Sequence, residues 1–354
     1  MAGASEPNRK RPLTAVEEDT QLERSLKRSG LGNQECVASA EASVPVIDMA
    51  LSDDACAAAI WEAATRVGFF TVVNHGIPEE LIDRAFSASS TFFAQPRASK
   101  EEQSPFARNL NSGFEYMAQV RPSTGLADRK ESLQVTARTG AMEERWPSEP
   151  KDFEEVAKRV MEQAHALGCR ILSLLEARAC PTLQPGTLAN SHNLWGDDGQ
   201  CTLRLLHYMP MDVATLEQLK SSKEQHWRAG PHTDWCCCTL LFQRPGNDGL
   251  ECAANPRAGS SQWVAVDPVP GGIAVNIGDM LARWSDNRLL SNLHRVRLPT
   301  PAECTPPRPR YSMAFFMQAD KKSILKSEKY EPITAGDYIL GRIKSNFATG
   351  AGAA

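Results

Sequence analysis

A histidine and an aspartate two residues apart, His232 and Asp234, sit in Gly230-Pro231-His232-Thr233-Asp234-Trp235, and a third candidate ligand, His294, follows in Ser291-Asn292-Leu293-His294-Arg295-Val296. Arg310 and Ser312 repeat the two-residue spacing in Pro309-Arg310-Tyr311-Ser312-Met313. Two imidazoles and one carboxylate are the ligand set of a mononuclear non-haem Fe(II) site. Three ligands on one face of an ion leave three positions open. A 2-oxo acid can chelate two of them through its carboxylate and keto oxygen, and O2 can take the third. A guanidinium grips a carboxylate through two parallel hydrogen bonds, so Arg310 with Ser312 suits the far carboxylate of a dicarboxylic 2-oxo acid.

These roles require strands. Side chains at i and i+2 of a strand point the same way, so His232 and Asp234 can reach one ion from one strand, and Arg310 and Ser312 share a face opposite Tyr311, Met313 and Phe315. An arginine on an inward face needs an anion, because an unpaired buried charge is costly. The other histidines compete poorly. His75 lies in a turn, His226 falls in a polar stretch that reads as exposed, and His207 falls on the opposite face from Leu206 and Tyr208.

The pattern along the chain supplies such elements. Residues 1–43 lack aromatic side chains and mix charges, which predicts a disordered tail with a transient helix around Leu22–Lys27. Order is expected from a strand at Val44–Asp48, then a helix from Asp54 to Val67, a strand at Phe69–Val73 and a helix from Glu79 to Phe93. Phe153, Val156, Ala157, Val160, Ala164, Leu167, Ile171, Leu174 and Leu175 trace one stripe at helical spacing. Beyond residue 200 short strands are predicted at Thr202–Tyr208, Thr239–Phe242, Trp263–Val266, Ile273–Ile277, Asn292–Arg297 and Tyr311–Met317. Thr334-Ala335-Gly336-Asp337 reads as a capping box opening a last helix to about Lys344. Many short strands with turn signals point to an antiparallel barrel or jelly roll. The fold class is therefore mainly β with flanking helices, a jelly-roll core behind an α/β N-terminal region. The expected organisation is a tail over 1–43, the α/β region over 44–105 and the catalytic barrel over 106–354.

Composition excludes other classes. At 354 residues, 42% hydrophobic and 23% charged, the chain reads as an ordinary globular protein. Its net charge of -4 gives no electrostatic footprint for nucleic acid. No apolar run approaches the ~20 residues that span a bilayer, and no secretory signal is evident. The ten cysteines form no CxxC pair, which fits reduced thiols in a cytosol. A monomer in the cytoplasm acting on a small molecule, with no nucleic-acid or membrane partner, is expected. Arg9-Lys10-Arg11 leaves nuclear import open.

The residues together resemble the Fe(II)/2-oxoglutarate-dependent oxygenases of the isopenicillin N synthase-like superfamily, over about residues 44–346. The likeness rests on Val44-Pro45-Val46-Ile47-Asp48, Gly68-Phe69-Phe70, Val73-Asn74-His75-Gly76-Ile77 and Asp128-Arg129-Lys130-Glu131. It continues through Leu203-Arg204-Leu205, His232-Thr233-Asp234, Asn276-Ile277-Gly278-Asp279, Trp284-Ser285-Asp286-Asn287, His294-Arg295-Val296 and Arg310-Tyr311-Ser312. Tyr330-Glu331-Pro332-Ile333-Thr334 and Trp227-Arg228-Ala229-Gly230 are most similar to a small-molecule hydroxylase branch that includes thymine hydroxylase-like enzymes. The resemblance implies a double-stranded β-helix with Fe(2+) on His232, Asp234 and His294, and 2-oxoglutarate on Arg310 and Ser312 with Tyr208 hydrogen-bonding it. It further implies O2 as oxidant and ascorbate as reductant. The activity implied is hydroxylation of a small organic molecule with release of succinate and CO2. An oxidase, desaturase or ring-closing enzyme of the same superfamily is the alternative. A ligand-binding barrel without turnover is the alternative from another class.

Three positions depart from the family pattern. Leu206 stands where many members have Asn. Cys236 replaces a usual Gly and, with Cys238, is expected on the strand face of Asp234. Phe114 stands where Tyr is common, either lining the substrate pocket or packing in the core.

Overall fold

Residues 43–121, 123–254 and 262–347, together with Cys36, are described by a computed structural model. The chain runs through β1 (Val46–Asp48), α1 (Asp53–Arg66), β2 (Phe69–Val73), α2 (Glu79–Phe93), α3 (Arg97–Gln103), β3 (Gly113–Tyr116) and β4 (Glu131–Thr136). Next come α4 (Phe153–Ala179), α5 (Thr187–Asn190), β5 (Thr202–Tyr208), α6 (Val213–Lys220), β6 (Ala229–His232) and β7 (Cys238–Phe242). Then follow β8 (Leu250–Ala253), β9 (Trp263–Ala265), β10 (Ile273–Ile277), α7 (Asp279–Trp284), β11 (His294–Val296) and β12 (Arg310–Met317). A short pair, β13 (Ile324–Leu325) and β14 (Ile333–Thr334), leads into α8 (Ala335–Phe347).

The strands form two facing sheets, a double-stranded β-helix. The larger has the order β1-β2-β10-β7-β12-β5-β4-β3, and the smaller β6-β11-β8-β9. The N-terminal strands are continuous with the large sheet, since β2 pairs antiparallel with β10. The small sheet is the opposite wall of the barrel.

Strand alternation divides the large sheet into two environments. On β5, Leu203 and Leu205 join the main apolar cluster with the helices, whereas Leu206 and Tyr208 join a smaller cluster between the sheets. The main cluster is sealed by α4, whose predicted stripe is buried apart from Leu174, which is half-buried. This helix lies so close to β12 that a Cβ on Gly168 would come within 2.5 Å of the Met317 sulfur. The last helix opens as the capping box predicts: the Asp337 N–H donates to Thr334 Oγ1 at 3.0 Å, and that hydroxyl donates to Asp337 Oδ2 at 2.7 Å.

Several strands were not legible in the sequence. The four residues Ala229-Gly230-Pro231-His232 carry no strand alternation, yet they form β6. Their Gly and Pro are tolerated because β6 is an edge strand, where a missing N–H costs no ladder bond. β3, β4 and β8 were also unforeseen; each is short, and β4 carries polar side chains toward the barrel interior. The predicted tail helix and the Arg9-Lys10-Arg11 triplet lie outside the described residues. Cys36, within the expected tail, forms a one-residue parallel bridge with Trp263.

Candidate metal and cosubstrate site

β6 and β11 pair antiparallel with His232 directly opposite His294. The two imidazoles therefore enter the barrel side by side, with ring centroids 4.2 Å apart. His232 Nδ1–H donates to the Gly230 carbonyl at 2.8 Å and His294 Nδ1–H to the Asn292 carbonyl at 3.3 Å. A carbonyl can only accept, so each bond fixes the tautomer and leaves Nε2 with its lone pair facing the barrel. Burial, reinforced by the positive charges of Arg121 and Lys130, pushes His232 well below the ordinary imidazole range and keeps it neutral. Phe69 meets the His294 ring edge-on at 5.5 Å.

Asp234 arrives differently from the period-2 expectation. β6 ends at His232, and Asp234 lies in the following irregular segment. Its backbone is pinned instead: the Asp234 carbonyl accepts from the Asp279 N–H at 2.8 Å. Gly278 is required there, because a Cβ would fall 2.1 Å from the Cys236 carbonyl oxygen. The Thr233 hydroxyl donates to Asp279 Oδ2 at 2.9 Å, and Arg342 of α8 pairs with the same oxygen at 3.0 Å. Asp279 thus ties the ligand segment to the C-terminal helix.

The Asp234 carboxylate divides its work. Oδ2 accepts from Thr239 Oγ1 at 2.6 Å and from Asn276 Nδ2 at 2.9 Å. Oδ1 lies 3.9 Å from His232 Nε2 and 3.7 Å from His294 Nε2. Burial alone would raise this carboxyl, but His294, Thr239 and Asn276 outweigh it and hold the group below the usual range. One donor atom from each of His232, Asp234 and His294 lies within 4.8 Å of the others. Two imidazole nitrogens and one carboxylate oxygen, each on a side chain whose second polar atom is already bonded, fit a hard-to-borderline divalent ion.

Arg310 begins β12, opposite Tyr208 of β5, and Ser312 lies two residues on, opposite Leu206. The guanidinium is 2% exposed and stands 4.9 Å from the Tyr208 ring centroid. Its Nε donates to the carbonyls of Asn247 at 2.9 Å and Asp248 at 3.1 Å, and Nη2 donates to Gln243 Oε1 at 3.1 Å. Nη1 reaches Ser312 Oγ at 3.3 Å. No carboxylate lies within ion-pairing distance of it among the described residues, which removes the structural salt bridge as its reason for being there. Burial pushes its pKa down, against the pull of Tyr208.

A cavity of about 1660 Å³ joins these groups and is lined by all six predicted residues: His232, Asp234, His294, Arg310, Ser312 and Tyr208. The departures sort themselves. Leu206 lines the cavity and places an apolar surface where an amide was expected. Cys236 also lines it, its sulfur 3.2 Å from Thr239 Oγ1, whereas Cys238 points into the helix-side core, so the two do not share a face. Phe114 packs in the main cluster against Phe92, 6.0 Å between centroids, and only borders the cavity. His226 is half-buried rather than exposed. His75 accepts from the Ile77 N–H at 3.1 Å within its turn. Thr239, Asn276 and Asp279 were missed as supports; their signal was a polar side chain within an apolar strand or at its end.

Comparison with known proteins agrees with this geometry. Residues 44–156 match the family model described as non-haem dioxygenase in morphine synthesis N-terminal, and residues 201–319 match the 2OG-Fe(II) oxygenase superfamily. A 2-oxoglutarate-Fe(II) type oxidoreductase of Emericella nidulans is 30% identical over 81% of this chain and 83% of its own length. Validamycin A dioxygenase of Streptomyces hygroscopicus subsp. limoneus is 27% identical over 80% of this chain and 79% of its own. A full-length Neurospora crassa protein, crystallised in complex with alpha-KG, superposes with a TM-score of 0.72 at 26% identity, covering 87% of this chain and 98% of that one.

Proposed function

The chain belongs to the 2-oxoglutarate-Fe(II) oxygenase superfamily, and on that premise we propose that it hydroxylates a small organic molecule using iron held by His232, Asp234 and His294 and 2-oxoglutarate held by Arg310, Ser312 and Tyr208. It is a 2-oxoglutarate- and Fe(II)-dependent dioxygenase. The observation that carries the residue assignment is the convergence of three donor atoms within 4.8 Å in the same cavity as a buried guanidinium that has no acid of its own.

When bound, ferrous iron with 2-oxoglutarate supplies O2 activation, coupled to loss of CO2 and oxygen insertion into a C–H bond. The protein residues position and exclude. Gly230 and Asn292 carbonyls hold the two imidazoles in the tautomer that offers Nε2. Thr239 and Asn276 occupy Oδ2 of Asp234 and leave Oδ1 for the metal. Arg310 shares its Nε–H between the Asn247 and Asp248 carbonyls and gives Nη2 to Gln243 Oε1, so its charge is in place before the cosubstrate arrives and little ordering cost remains. Ser312 adds a hydroxyl beside it, and Tyr208 covers the guanidinium face. No side chain is assigned proton transfer.

A small substrate fits a cavity of about 1660 Å³ and a net charge of -4, which offers nothing for a polynucleotide backbone. Among the described residues no helix is long and apolar enough to cross a membrane. All ten cysteines are free, which supports action in a reducing compartment such as the cytoplasm. The test is succinate release by the Fe(II)-loaded protein across a library of small molecules, with O2 uptake followed with and without 2-oxoglutarate. Iron- and substrate-dependent succinate is expected. Absence of metal-dependent decarboxylation with every compound would overturn the proposal, and O2 uptake independent of 2-oxoglutarate would favour the oxidase alternative.

A further inference from the structure

Arg204 shares its face of β5 with Leu206 and Tyr208, and stands opposite Gln134 of β4 and Ala314 of β12. Its guanidinium is in the cavity wall. Nε and Nη2 donate to Gln134 Oε1 at 3.2 and 2.7 Å, Nη1 reaches Gln119 Oε1 at 3.5 Å, and Cζ lies 5.2 Å from the Phe316 ring centroid. No carboxylate lies within ion-pairing distance among the described residues. Glu115, the acid of the same wall, instead accepts from Gln134 Nε2 at 2.7 Å and Gln119 Nε2 at 3.3 Å. Each glutamine turns its oxygen to Arg204 and its nitrogen to Glu115. The two amides thus hold the arginine in place without neutralising it.

The wider wall has the same sign. Seven Lys and Arg side chains line the cavity against two carboxylates, Glu115 and Asp234, in a chain whose net charge is -4. Two of the cations, Arg121 and Lys130, share the buried Asp128 behind the wall, which offsets one charge. Ferrous iron and dianionic 2-oxoglutarate cancel one another, so the positive excess outlasts their binding.

We propose that Arg204 anchors an anionic group of the substrate, so that the molecule hydroxylated is a small organic acid. This rests on the cavity being the substrate site of a 2-oxoglutarate-dependent hydroxylase. Arg204 is not a second handle for the cosubstrate. Four residues of strand, roughly 13 Å of backbone, separate it from Tyr208 and the Arg310 end, and its guanidinium bonds Gln134 of β4, the strand on the other side of β5 from β12. Around Arg204 the cavity wall is apolar, with Leu206, Leu241, Ala314 and Phe316 on or next to its register position, which suits the body of such an acid. An acid gripped at Arg204 would lay that body across the cavity toward His232 and His294.

The experiment measures binding to the full chain loaded with Fe(II) and 2-oxoglutarate without O2. The probes are benzoate, naphthoate and cyclohexanecarboxylate, each against its primary amide. Acids are expected to bind ~10–100-fold more tightly than their amides, the range of a charge-assisted pair. R204Q should erase that preference, and R204K, which keeps the charge but loses the fork, should retain part of it. Amides binding within about threefold of acids, no acid binding up to about 10 mM, or an unchanged preference in R204Q would each overturn the assignment. Because binding is read without turnover, its failure is distinct from failure of the hydroxylase reading, which shows as missing succinate in aerobic samples.

Discussion

The two faces of the large sheet use similar residues to opposite ends. On the helix side, Lys100 donates to both Glu131 oxygens at 2.9 and 2.8 Å and to the Phe93 carbonyl at 3.0 Å, while His207 Nδ1–H reaches Glu131 at 2.7 Å and its ring stacks on Tyr311 at 4.7 Å. A lysine, a glutamate and a histidine there satisfy one another. On the barrel side, His232, His294, Asp234, Arg310 and Arg204 are each fixed through one part of the side chain while another part faces the cavity. A closed network holds the fold together; valence left open toward a cavity binds something else. Counting buried charges would not separate the two, but following each atom to its partner does.

The largest expected effect tests the open side. Asp234→Ala removes the only anionic ligand and should lower succinate formation by roughly 1000-fold or more, since losing even an outer support costs 10–100-fold. Iron content after gel filtration should fall with it. Full iron retention in the variant would mean that the three groups do not share an ion. On the closed side, Glu131→Gln strands a buried ammonium and should cost about 3–5 kcal/mol of stability. Thermal unfolding should drop by roughly 5–10 °C, while the KM for 2-oxoglutarate of the folded enzyme stays put. A change in that KM would show that the two faces are coupled. Arg310→Ala should raise the 2-oxoglutarate KM by about 100-fold and change kcat less, because the guanidinium contacts the cosubstrate away from the reacting atoms. Equal losses in both constants would contradict a purely anchoring role.

Legibility followed the physics of each feature. The α4 stripe and strands such as Thr202–Tyr208 and Ile273–Ile277 repeat a period over enough residues to be read one at a time. The ligands His232, Asp234 and His294 were legible as residue types at a spacing, although the period-2 rationale for Asp234 failed because β6 stops one residue after Pro231. What places Asp234 is contact with Thr239 across the irregular segment and with Asn276 and Asp279 from a strand and turn distant in sequence, and no strand period encodes that. Cys238 was misplaced for the same reason: the irregular segment at 233–237 breaks the alternation that would have put it beside Asp234. Arg204 was visible only as a motif residue; its partners, two glutamines rather than an acid, emerge when β4 and β5 pair.

The smallest expected effect falls on one of those unforeseen supports. Thr239 donates to Asp234 Oδ2 at 2.6 Å, and Asn276 donates to the same oxygen at 2.9 Å. Thr239→Val keeps the shape of the side chain and removes only the hydroxyl, so packing around the strand should survive. With Asn276 still in place Asp234 keeps one donor but gains rotational freedom, and iron affinity should weaken by about 10-fold, the lower end for an outer-shell bond. Competition with a chelator measures it directly. A wild-type dissociation constant in the variant would mean that Asn276 alone orients the carboxylate, and that part of the open side is as redundant as the closed one.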